Sequence, residues 1–201
     1  MNADSRHTSP LLWVPLLLVC LALGLRWMKL ESPGMDLLSN FSPWMALAFT
    51  GTLVFPRTLP WWIWPTLLLG MNFAVLGLKE ASAPESLSIY AMYALAALFA
   101  HTLRGRLSVL RSLLGALVCS VAFYIVTNTT SWWVESYSKD FTGWLQALTI
   151  GLPGYAPTWT FYTISMLSDL GFSALLLLAF NAEAKVRNMA PMPWLTARAA
   201  A

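Results

Sequence analysis

Six apolar segments separated by polar breaks limit what this chain can fold into more than any other feature. They are Leu11–Trp27, Ser42–Phe55, Trp61–Leu78, Leu87–Leu103, Val109–Thr127 and Thr158–Phe180. Five hold 17 residues or more. At about 1.5 Å of rise per residue they approach the roughly 30 Å of a hydrocarbon core. A backbone in lipid has to satisfy its own hydrogen bonds, so such segments fold as helices. The expectation is an all-α fold: a polytopic membrane protein built as a bundle of six transmembrane helices. Ser42–Phe55 is short, at 14 residues stopped by Pro56. It spans if the bilayer thins or if Asn40 and Phe41 extend it, and is otherwise re-entrant. Pro15 and Pro65 lie inside their segments, where membrane helices accept them with a kink.

Composition narrows the class. Hydrophobic residues make up 58% of the chain, charged residues 10%, and mean hydropathy is +0.62, outside the balance of a soluble domain. Cys20 and Cys119 both fall in apolar runs, so they form neither a disulfide framework nor a metal cluster. His101 stands beside Arg104 without a second histidine or an HExxH motif, and no P-loop, GxGxxG or GxSxG occurs. No catalytic residue, metal or cofactor is therefore expected, and the chain does not read as an enzyme. Arg26, Trp27, Met28 and Lys29 stand where a signal-peptide cleavage site would need small residues, so the first segment is expected to stay.

Charge gives the orientation. With an internal N-terminus the inner side holds Arg6, Arg57, Arg104, Arg106, Arg111, Lys185, Arg187 and Arg198, against Arg26, Lys29, Lys79 and Lys139 outside. Eight basic residues against four place both termini in the cytoplasm. The organisation expected is a tail over residues 1–10, a membrane domain over 11–180 and a second tail over 181–201. A pI near 9.0 then follows from topology, and no nucleic-acid partner is needed; the lipid bilayer is the partner expected first.

The longest outer connection, residues 128–157, carries a short stretch with helical spacing over Phe141–Ile150 and many aromatic residues. Long structured loops tend to carry function. Trp132, Trp133 and Trp144 allow two readings: an interfacial belt, or a lid stacking on a flat ligand.

Asp169 is the one carboxylate inside these segments, near the middle of the last. An ionisable group there costs roughly 2.5–3.5 kcal/mol on insertion scales and faces a cavity or a partner. Tyr162, Ser165, Asp169 and Ser173 recur at spacings of three or four and share a face. Asn72, 11 residues into the third segment, falls at a similar depth. Either the two polar residues glue helices together or they face a solute. Thr127 and Asn128 read as capping the fifth helix, and Asn40 stands at the mouth of the second. Ser112, Gly115, Ala116 and Ser120 read as a close-packing stripe.

The stretches NFSPWMALAFTGTLVFPRTLP, YIVTNTTSWWVESYSKDFTGWLQALTIGLPGY and SMLSDLGFSALLLLAF resemble a family of small bacterial membrane proteins. That family is itself similar to the substrate-binding S components of energy-coupling factor (ECF) vitamin transporters. The resemblance runs over about Asn40–Phe180. It implies six helices in a bacterial cytoplasmic (inner) membrane, with a substrate pocket near the outer face closed by the loops after the first and fifth helices. It carries Asn40 and Ser42 of NFSP, Asn128 of VTN and Asp169 of SDL over as substrate-binding positions. The third helix has Asn72 where the pattern often holds an acid. The resemblance thus implies a binding or uptake protein for a small, vitamin-like solute. The alternative is a non-catalytic accessory subunit packed against a transmembrane partner subunit in a larger membrane complex.

Overall fold

The computed structural model describes residues 12–31, 43–56 and 58–195, and every regular element among them is a helix. The long ones are α1 (Trp13–Glu31), α3 (Ile63–Ala81), α4 (Pro84–Leu103), α5 (Val109–Val134) and α7 (Thr158–Val186). Two are short: α2, the helical turns over 44–54, and α6 (Phe141–Leu148). Among the described residues three helices, α4, α5 and α7, are long and apolar enough to cross a membrane. Their outward faces expose Leu95, Phe99, Leu114, Val118, Leu167 and Leu178, a surface suited to contact with a lipid bilayer.

Prolines mark helix starts. Pro15 and Pro65 sit in the first turns of α1 and α3, and Pro84 opens α4. First-turn amides have no partner inside the helix, so a missing N–H costs nothing there. The kinks expected at Pro15 and Pro65 therefore have no cause. The break in α3 comes instead at Gly77, whose φ of 80° interrupts the helix near its end. A side chain rarely adopts that conformation.

The centre of the bundle is α2. From Trp44 to Thr52 it is buried throughout, and it packs against α3, α4, α5 and α7. Its middle, Ala46–Gly51, is wound as a π-helix, a form that occurs mostly in single turns. Eleven residues rise about 16 Å, half a hydrocarbon core. The described part of the second apolar segment is thus a half-length helix that begins deep inside the bundle.

Polar side chains bracket it. The N–H groups of Met45 and Ala46 face the Asp169 carboxyl, and Arg104 donates through Nε to the Thr52 carbonyl near the other end. An acid at the N-terminus and a cation at the C-terminus both complement the helix dipole. Side chains add to this. Thr50 Oγ1 donates to Ser173 Oγ at 2.8 Å, and Trp64 Nε1 to Thr52 Oγ1 at 3.0 Å. A second α7 acid repeats the device: the N–H groups of Trp13 and Val14 donate to Glu183 at 3.0 and 2.9 Å. Arg187 lies 2.7 Å from the same carboxylate.

At the far end α7 runs on to Val186, past the apolar segment that ends at Phe180. The chain then turns at Asn188, φ 55°, and folds back. Asn181 pairs through its side-chain amide with both backbone groups of Met192, at 2.8 and 3.1 Å. The carbonyls of Pro193 and Trp194 accept from Val109 and Leu110 at 2.8 and 3.2 Å. The 189–195 segment thereby closes the first turn of α5, whose amides need acceptors.

Candidate functional site: a polar cavity between two long helices

On α5, Ser120, Tyr124, Thr127 and Asn128 lie at offsets of four, seven and eight, so they form one stripe. On α7, Thr158, Tyr162 and Ser165 do the same. The two stripes face each other across a cavity of about 190 Å³, which Phe123 and Phe161 complete. The rings of Tyr124 and Tyr162 are 4.4 Å apart at their centroids.

The floor is polar as well. Ser120 Oγ donates to Asp169 Oδ2 at 3.1 Å. Asp169 is 4% exposed, one helical turn below Ser165. It joins three elements: α5 through Ser120, α2 through the two amides, and α7 by its own backbone. Its second oxygen, Oδ1, meets no partner in full hydrogen-bond geometry. The amides of Met45 and Ala46 therefore act on the carboxyl as dipoles more than as tight bonds. Ser168 Oγ and Trp44 Nε1, near the same helix start in sequence or space, are also buried without a partner.

Above the cavity, α6 is fastened across the end of α5. Tyr124 donates its hydroxyl to the Leu148 carbonyl, and Trp144 Nε1 donates to Thr129 Oγ1 at 2.9 Å. Asp140 caps α6, accepting from the Gly143 N–H at 2.7 Å and from Ser138 Oγ at 3.0 Å. The Gly143 N–H first, and then the Ser138 hydroxyl, hold its carboxyl below the usual carboxylate range.

The residues expected from sequence distribute unevenly around this cavity. Asn128 lines it, and Asp169 sits beneath it. Neither Thr127 nor Asn128 caps α5, which runs on to Val134. Both bond back to carbonyls four residues earlier, at 2.8 Å each. Asn72 donates to Tyr90 Oη at 3.0 Å, a link between α3 and α4. Trp132 Nε1 donates to the Ser138 carbonyl at 2.8 Å, and Lys139 lies over the Trp132 ring at 6.0 Å. Trp133 is 70% exposed. Trp132, Trp133 and Trp144 are all outside the cavity lining. Asn40 and Ser42 lie outside the described residues.

Sequence reading missed Ser120, Tyr124 and Thr158 as lining residues. The signal was present for the first two: the small-residue stripe Ser112–Ala116–Ser120 continues at the same four-residue spacing to Tyr124 and Asn128. Among the described residues no group of three or more His, Cys, Asp or Glu is placed to hold a metal. A second recess, about 420 Å³, lies under residues 191–194 beside Leu178 and Lys185. Its one buried polar residue, Asn181, is already bonded to Met192.

Fold and cavity together define a class: an all-helical bundle with an apolar exterior and a polar chamber between two of its longest helices. The chain belongs to the family of unknown function DUF6580, whose model matches residues 6–191. No curated protein and no solved structure matches it.

Proposed function

We propose that this is a membrane-embedded binding or uptake protein for a small solute, built on a plan similar to that of ECF S components. It is not an enzyme. It crosses a bacterial cytoplasmic membrane six times with both termini in the cytoplasm, and α2 supplies the inner half of the second crossing. The observation that carries the reading is the cavity floor. A chamber between α5 and α7 descends to Ser120, whose hydroxyl meets the buried Asp169 behind it, beside the start of a helix that begins inside the bundle. Half-helices that begin at mid-membrane are how many transporters face the polar groups of a solute. The eight-to-four distribution of basic residues supports the orientation.

The test is mass spectrometry of protein extracted in mild detergent. The expected result is a small molecule released on denaturation in about equal amount to the protein. A stoichiometric membrane protein recovered in its place, with no small molecule, would favour the accessory-subunit reading.

A further inference from the structure

The recess under residues 191–194 is separate from the chamber, and the proposed solute site makes no use of it. Leu178, Asn181, Ala182 and Lys185 supply its α7 side at offsets of three, four and seven, one stripe along the helix. Residues 191–194 of the folded-back segment close the other side. Its volume, about 420 Å³, falls in the roughly 300–1,000 Å³ of small-molecule sites. One end is apolar and continuous with the outside of the bundle, since Leu178 is 50% exposed on the face suited to lipid. Lys185 stands about 10 Å further along α7, exposed in its last turn. Trp194 is 60% exposed. Arg111, one residue past the Leu110 amide that donates to the Trp194 carbonyl, is exposed as well.

A lysine in a last turn can serve only to answer the carbonyls of its own helix. Here the Glu183, Ala184 and Lys185 carbonyls already accept from the Arg187, Met189 and Asn188 amides. The acid of the same turn, Glu183, is committed to the start of α1 and to Arg187. Among the described residues Lys185 has no ion pair. Its charge is therefore available to an anion, beside an apolar wall that opens toward lipid.

We propose that this recess holds one anionic phospholipid, its phosphate on Lys185 and the Trp194 N–H, and one acyl chain along Leu178 and Ala182. Basic recesses between membrane helices hold anionic headgroups, and lysine and tryptophan both favour the headgroup level. A soluble anion would meet the cation but leave the apolar wall bare. The proposal rests on the chain lying in a bilayer and is independent of the chamber.

Native mass spectrometry of the full chain in mild detergent tests it, with phosphatidylglycerol and phosphatidylcholine of the same acyl chains as probes. The expected result is one phosphatidylglycerol retained, about fivefold or more tighter than phosphatidylcholine, the worth of one basic residue near an anionic lipid. Lys185 and Ala182 are both exposed, so replacing them should leave the fold intact. Lys185→Gln should erase the preference, and Ala182→Phe, which fills the recess, should lose the bound lipid. A preference unchanged in either variant would overturn the site, because the lipid would then be held elsewhere on the surface. Displacement of phosphatidylglycerol by inorganic phosphate at constant ionic strength would overturn it too, since the apolar wall would then contribute nothing. Protein that needs detergent to leave the membrane yet retains neither lipid would overturn the site and leave the membrane reading standing.

Discussion

Replacing Asp169 by leucine is expected to cost about 3 kcal/mol or more of stability, whereas asparagine at that position costs about 1 kcal/mol. The two variants differ in what they leave behind. Leucine is close in volume but accepts nothing, so the Ser120 hydroxyl loses its acceptor and the Met45 and Ala46 amides lose the polar group they face. A buried donor left without a partner costs roughly 1–3 kcal/mol, and these sit where water does not reach. The Ser120 hydroxyl can turn to a carbonyl of its own helix, whereas an amide in the first turn of a helix has fewer acceptors to turn to. Asparagine keeps an acceptor oxygen in the same place and gives up only the carboxyl's capacity to ionise. Denaturant titration in mild detergent, followed by tryptophan fluorescence, measures both. A leucine variant as stable as the parent would remove Asp169 from the account of how α2 is held.

Gly115→Ala is expected to destabilise the bundle by about 2 kcal/mol. A Cβ at Gly115 would stand 2.4 Å from the tip of the Phe49 ring. That ring is fully buried on α2 and packs at a tilt, 6.0 Å between centroids, against Phe99, so it has little room in which to yield. Phe49→Leu shortens the side chain at the clash and should cost stability alone but rescue Gly115→Ala in combination. Non-additivity of that sign is what contact between the two sites requires. Additive losses would mean that α5 and α2 do not approach as closely as described. The predicted effect is large because the Phe49 ring already fills the space a methyl group at Gly115 would need.

What the chain shows in advance and what it hides divide along physical lines. The long apolar runs declare helices through length alone, and the Tyr162–Ser165–Asp169–Ser173 face is plain because a helix repeats every three to four residues. Ser173 does meet another helix, through Thr50, and Tyr162 and Ser165 do reach a cavity. The partner of Asp169 was not legible. It is a pair of backbone amides on α2 and a serine on α5, and backbone dipoles leave no mark in composition or spacing. The role of Arg104 was hidden for the same reason, since its acceptor is a backbone carbonyl. The folded-back 189–195 segment was unreadable because its contacts with Asn181, Val109 and Leu110 join positions far apart in the chain. The tryptophans drew attention because indole is rare and conspicuous. Trp132 and Trp144 spend their N–H groups fastening the loop and α6.

The account's central claim is that the chamber between α5 and α7 holds a solute, and filling the chamber tests it most directly. Ser165→Phe puts a ring into the space beside Tyr124 and Tyr162 without touching Ser120 or Asp169. Parent and variant are extracted side by side, shown to unfold at similar denaturant concentration, and assayed by mass spectrometry for the small molecule that each releases. The account predicts that the parent releases a small solute in about equal amount and that the folded variant releases none. The same molecule released in equal yield by the filled variant would contradict it, because the solute would then sit somewhere other than this cavity.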